Sequence, residues 1–182
     1  MFVRDRRDHT TSRVSVNTAR VQGNAESSTP SISAGGRFVT FHSYASNLVG
    51  SDTNDAPDVF VRDREAGATS RVSVSSSGVE GNSSSWLPSI SVGGRFVTFY
   101  SGASNLVGGD TNDAFDVFVR DRGNHTTSRV SVGSSGVEGN AYSYDPSISA
   151  GGRFVAFYSD ASNLVGSDTN DAGDVFVRGP LG

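Results

Sequence analysis

Cysteine is absent from the 182-residue sequence, which rules out disulfides and thiolate metal sites but leaves the redox compartment open. No apolar run approaches the length needed to span a membrane. The opening MFVRDRRDHT lacks the apolar core of a signal peptide. A soluble chain with no membrane insertion is therefore expected, any targeting segment lying outside these residues. Basic residues are few: Lys and Arg total 15 against 19 Asp and Glu, for a net charge of −4, and they are spread along the chain. That balance argues against a nucleic-acid partner. Also missing are a Gly-x-Ser-x-Gly elbow, a His-Glu-x-x-His helix motif and a phosphate loop. Helical periodicity is not found anywhere in the chain.

What is present is repetition. Gly50 to Arg64 recurs almost unchanged as Gly108 to Arg122 and again from Gly166 to Arg178, and its tail opens the chain at Phe2 to Arg6. The central phenylalanines Phe2, Phe60, Phe118 and Phe176 advance by 58 residues each time. A fixed period of this size marks a propeller, solenoid or array. One repeat array is expected over 1–182, divided into a partial unit (1–23), two full units (24–81 and 82–139) and a truncated third (140–182).

Each unit reads as four strands. Pro-Ser-Ile-Ser (strand A, as at Pro30 to Ser33) precedes a Gly-Gly pair, which predicts a two-residue hairpin. Arg37 to Phe41 (strand B) follows, apolar on both faces, and so is Asp58 to Arg62 (strand C), as in a sheet covered on both sides. Val72-Ser73-Val74 (strand D) alternates and is expected at a half-exposed outer edge. With 35% hydrophobic residues and 22 glycines, an all-β fold of four-stranded antiparallel blades fits better than a sandwich. About three blades are encoded.

Pro-Ser-Ile-Ser-Ala-Gly-Gly-Arg-Phe-Val-Thr-Phe followed by Asp-Val-Phe-Val-Arg-Asp resembles the TolB-type, WD-like β-propeller repeat. Gly35, Gly93 and Gly151 depart from the family pattern, which has an aspartate in that hairpin. The resemblance implies a six-bladed ring used for binding, sometimes attached to a peptidase domain, and an extracytoplasmic location. Three blades per chain then suggest a homodimer, with a three-chain, nine-bladed ring as the alternative. The third unit has no D strand while the first 23 residues carry a spare one. One duplicate C strand, Met1 to Arg6 or the segment around Gly179 to Gly182, must then be displaced.

Strand direction puts the B–C loop and the D–A connection on one face, expected to be acidic, and the A–B and C–D turns with Arg37, Arg62 and Arg64 on the other, expected to be basic. The acidic loop has two readings. Asp52, Asn54 and Asp58, with Asp110, Asn112, Asp116 and Asp168, Asn170, Asp174, could supply hard oxygen ligands to calcium. Equally, Asp and Asn cap turns by bonding backbone N–H groups. The D–A connection varies most between repeats, at Glu26/Ser84/Tyr142, Ser28/Trp86/Tyr144 and Thr29/Leu87/Asp145. Glu26, Ser28, Trp86, Leu87, Tyr142, Tyr144 and Asp145 are thus candidate ligand residues on the surface. Trp and Tyr faces there suit a sugar, and the competing reading has them filling gaps between blades. His42 replaces Tyr100 and Tyr158, as a packing residue would. Carboxylates repeated in every unit do not suggest a single active site, so an enzyme is not expected. A binding or scaffold module for a protein or carbohydrate ligand is the leading reading. A lectin with one shallow aromatic site per blade is its rival, and a propeller severed from a hydrolase is a third.

Overall fold

Turn chemistry and two-sided apolar strands fold each unit into a small antiparallel sheet. In the computed structural model, which describes residues 1–179, β1 (Phe2–Asp5) and β2 (Thr10–Arg13) form a hairpin. The first blade is β3 (Ser27–Ile32), β4 (Phe38–Ser43), β5 (Asp58–Asp63) and β6 (Ala68–Arg71). The second is β7 (Ser85–Ile90), β8 (Phe96–Ser101), β9 (Asp116–Asp121) and β10 (Thr126–Arg129). The third has three strands, β11 (Ser143–Ile148), β12 (Val155–Ser159) and β13 (Asp174–Arg178). This is the all-β blade architecture that the repeat implied. Among the described residues no helix is long and apolar enough to cross a membrane.

Three local details differ from the sequence reading. Strand A starts three residues earlier than Pro30 and carries a bulge, since Ser28 pairs His42 but Ser31 pairs Thr40. The extra residue is left-handed in every blade (Thr29 at φ 48°, Leu87 at 45°, Asp145 at 52°), and the following proline needs no ladder N–H at a bulge. The Gly-Gly hairpin has a four-residue loop rather than two. Ser33 N–H donates to Phe38 O at 2.9 Å, and only Gly36, at φ 70°, is left-handed. Strand D is Ala68–Arg71, not Val-Ser-Val. Val72 and Ser73 come after it and are buried, because the chain there already turns in toward the next blade.

Blades stack through both faces. Val59, Val61 and Val72 of the first blade pack with Ile90, Val97 and Phe99 of the second. Val117, Val119 and Val130 pack in the same way with Ile148, Val155 and Phe157 of the third. The serines of strand A have a use here: Ile90 N–H donates to Ser31 Oγ and Ile148 N–H to Ser89 Oγ, each at 3.2 Å across the blade boundary. Gly94 completes the seam. A Cβ there would lie 2.1 Å from the Phe38 ring, and a Cβ at Gly152 would lie 2.2 Å from Phe96.

The expected basic face is not simply basic. Arg37 Nη2 lies 2.7 Å from Asp63 and Arg95 Nη2 lies 2.6 Å from Asp121. Arg62 is buried and donates to Asn17 O and Thr69 Oγ1. Arg64 donates to Gly36 O. These cations are absorbed in turn-to-turn bonds, with Arg37 foremost in holding the Asp63 carboxyl down to about 2.

Candidate functional site

The B–C loops and D–A connections do share one face, and side chains tie them together. Asn54 Oδ1 accepts the N–H of Ala56 at 2.9 Å, and its amide donates to Gly81 O at 2.8 Å. Asn112 repeats both bonds, and Asn170 caps Ala172. Each asparagine oxygen thus accepts a turn N–H. Two residues that the sequence reading overlooked, Arg71 and Glu80, complete the arrangement. After β6 the chain doubles back through a turn (Ser75 N–H to Val79 O) and sets Glu80 opposite Val74. Arg71 then faces Glu80 at 2.9 Å, Asp58 at 3.1 Å and Asp52 at 3.4 Å.

Arg129 stands in the same way among Asp110, Asp116 and Glu138. The calcium reading places an ion where each of these two clusters holds a guanidinium. Burial pushes the carboxyls of Asp58 and Asp116 up to about 6, against the pull of the Ser73 or Ser131 hydroxyl and of the arginine. The signal for Arg71 and Glu80 was the recurrence of Ser-Arg-Val-Ser-Val and Val-Glu-Gly-Asn at the same step. In the third unit Asn170 and Asp174 lie together, and among the described residues neither Asp168 nor Asp174 has an arginine beside it. Asn170 donates to Asp174 at 3.1 Å.

The second constellation is aromatic. Ser28, Trp86 and Tyr144, with Thr29, Leu87 and Asp145, lie on the bulged start of strand A rather than in the connection before it. Trp86 and Tyr144 are half-buried at the blade seams. The Trp86 indole stands edge-on to His42 at 4.7 Å and to Tyr44 at 5.5 Å, both in the preceding blade. Tyr144 lies 4.9 Å from Tyr158 and 6.5 Å from Tyr100 of the preceding blade. Tyr100 continues to Phe115 at 5.6 Å, and Phe115 to Tyr142 at 6.0 Å. Two short aromatic rows result, one per seam. Their outer members Tyr44 and Tyr142 are about half exposed (51% and 50%). Asp145 and Asp160 are exposed beside the second row, and Glu26 is exposed at the first blade.

The histidines fit structural roles. His42 is buried, hydrogen-bonded to Ser28 Oγ at 2.9 Å and to Thr29 Oγ1, and burial lowers its pKa. His9 and His125 occupy a left-handed turn position (φ 52° and 57°) that Gly67 fills at φ 64° in the intervening copy.

No family model and no curated protein matches this sequence. Solved structures with the same fold are found. TolB from Acinetobacter baumannii superposes with a TM-score of 0.53 at 19% identity over 98% of this chain and 35% of that one. A putative TolB from Agrobacterium tumefaciens gives 0.53 at 16% identity, over 85% of this chain and 46% of that one. The tricorn protease gives 0.52 at 16% identity, over 87% of this chain and 13% of that one. The chain thus spans less than half the length of each. Its three larger sheets are blades of a TolB-type β-propeller fold, with the β1–β2 hairpin beside them.

Proposed function

We propose that the chain is a non-catalytic binding module whose loop face takes up a ligand along the aromatic rows. One observation carries the reading. The positions that differ most between repeats are the positions where aromatic rings gather at the blade seams, on a scaffold that is otherwise nearly identical from unit to unit. A rigid framework with variable, half-exposed rings is how a propeller presents specificity. The ligand has a flat apolar face, as a peptide side chain or a sugar ring does. The lectin reading draws on the second row in particular, where Tyr142 and Tyr144 stand beside the exposed carboxylates of Asp145 and Asp160: rings to stack on and acceptors for hydroxyl groups.

Trp86 is the sole tryptophan, so intrinsic fluorescence reports on one seam alone. Sugar and peptide arrays identify a ligand, and titration of that ligand is expected to shift Trp86 emission. Loss of binding in Trp86→Ala or Tyr144→Ala, with the fold retained, supports the assignment. Sugar binding selects the lectin reading and peptide binding the protein-ligand reading. Binding that survives both substitutions would refute it.

A further inference from the structure

The two ends of the blade array are complementary halves of the seam that already occurs twice inside the chain. At the last blade, Val175 and Val177 are 73% and 69% exposed, whereas their equivalents Val59 and Val61 are buried by the second blade. Phe154 is 41% exposed, while its equivalents Phe38 and Phe96 are covered by Gly94 and Gly152. The outer edge of β13 has no strand beside it among the described residues. At the first blade the opposite set is bare. Ile32 is 50% exposed against 8% for Ile90 and 9% for Ile148. Gly36, left-handed like Gly94, has no phenylalanine against it among the described residues. Arg64, the counterpart of the Arg122 guanidinium that lies 4.7 Å over Phe38, has no phenylalanine of a preceding blade beneath it among the described residues.

Charge follows the same division. Arg13 occupies the step equivalent to Arg71 and Arg129 but meets only Gln22 and the Phe2 ring, with no carboxylate among the described residues. Asp168 and Asp174 are the equivalents of Asp52 and Asp58, and they have no arginine among the described residues.

We infer that a second copy of this chain docks on these surfaces head to tail. Its β2 adds to β13 as the fourth strand, its Arg13 enters the Asp168–Asp174 pair, and its Gly36 covers Phe154. The register is fixed by the internal blades, where Phe60 pairs Arg71 and Val61 pairs Ser70. Phe176 of one copy therefore pairs Arg13 of the other. Strand β1 makes the same register with β2 (Phe2 opposite Arg13), yet it has no B strand behind it and leaves Phe2 59% exposed. It is the strand displaced; the alternative at the C-terminus involves residues 180–182, outside those described. Applied about one two-fold axis, the contact occurs twice and closes a six-bladed ring.

Light scattering at micromolar concentration is expected to give twice the 19.0 kDa chain mass. Arg13→Glu and Asp174→Arg are each expected to yield monomer with an unchanged β-sheet circular dichroism spectrum. An equimolar mixture of the two is expected to recover the dimer, because one junction is then native and the other has its charges exchanged. That recovery separates a lost contact from a lost fold. Deleting residues 1–6 leaves the dimer intact. A folded wild-type monomer would overturn the proposal. So would single variants that are folded but fail to re-associate on mixing.

Discussion

Strands β9 and β13 carry the same residues, Asp-Val-Phe-Val-Arg, and pair with their B strands in the same register, yet they live in different surroundings. Val117 and Val119 are 0% and 5% exposed, and Val175 and Val177 lie open. Backbone pairing within a blade is therefore settled locally, whereas burial is contributed by the neighbour. A repeat protein of this kind gains most of its stability at its seams.

The sharpest way to break the comparison is to place a charge on each strand. Val119→Asp buries an unpaired carboxylate and is expected to cost about 4 kcal/mol or more, enough to abolish the thermal transition. Val177→Asp is expected to change the stability of the unassociated chain by no more than about 0.5 kcal/mol. Parallel urea melts in dilute solution check this.

Next come the arginines. Arg71→Gln removes the cation from three carboxylates and is expected to cost about 3–5 kcal/mol. Arg13→Gln, at an exposed site, is expected to cost the dilute chain about 0.5 kcal/mol or less. In Arg71→Gln the oxygens of Asp52, Asp58 and Glu80 remain within 4.8 Å of one another, so millimolar calcium is expected to recover part of the lost melting temperature. The wild type, with its guanidinium in place, is expected not to respond to calcium or EDTA at that cluster.

The two glycines give a smaller contrast. Both Gly36 and Gly94 are left-handed, so alanine at either is expected to cost about 1 kcal/mol from backbone strain. In the unassociated chain only the Cβ at Gly94 would meet a ring, that of Phe38, adding about 1–3 kcal/mol. Differential scanning calorimetry of Gly36→Ala and Gly94→Ala separates the terms.

The last contrast is in pH dependence. Asp58 and Asp116 hold protons up to about 6 in the folded chain, above the 3.8 of an ordinary aspartate. Between these values the folded state binds more protons than the unfolded one, so their contribution is full at low pH and is lost as pH rises through about 6. His42, lowered by burial, acts in the opposite sense and loses stability as pH falls below 6.5. Melting temperatures at pH 4.5 and 7 are expected to favour the lower pH in the wild type. In Asp58→Asn/Asp116→Asn that preference is expected to shrink or reverse.

The blades were legible because the 58-residue step and the two-sided apolar strands repeat without interruption. Strand A was misplaced because Thr29-Pro30 reads as a break, although a bulge accommodates a proline within a strand. Strand D was misplaced because alternation in Val-Ser-Val imitates an edge strand, while the true one, Ala-Thr-Ser-Arg, has almost no apolar signal. The arginine clusters were hidden for a different reason. Arg71, Asp52 and Glu80 are far apart in sequence, and only the doubling back after Ser75 gathers them. Trp86 and Tyr144 differ from the residues at the same step in the other repeats, so substitution alone pointed to the surface. Their rings are half-covered because the preceding blade ends its B strand in His42 or Tyr100, which meet them at the seam.

The serine hydroxyls of strand A have a consequence for the order in which the molecule is made. The acceptor for Ile90 is Ser31 and that for Ile148 is Ser89, each 59 residues closer to the N-terminus. On the ribosome the second and third blades thus emerge to find their acceptors already made. Assembly is expected to run as a ratchet from the first blade to the last, each docking event leaving a fresh hydroxyl for its successor.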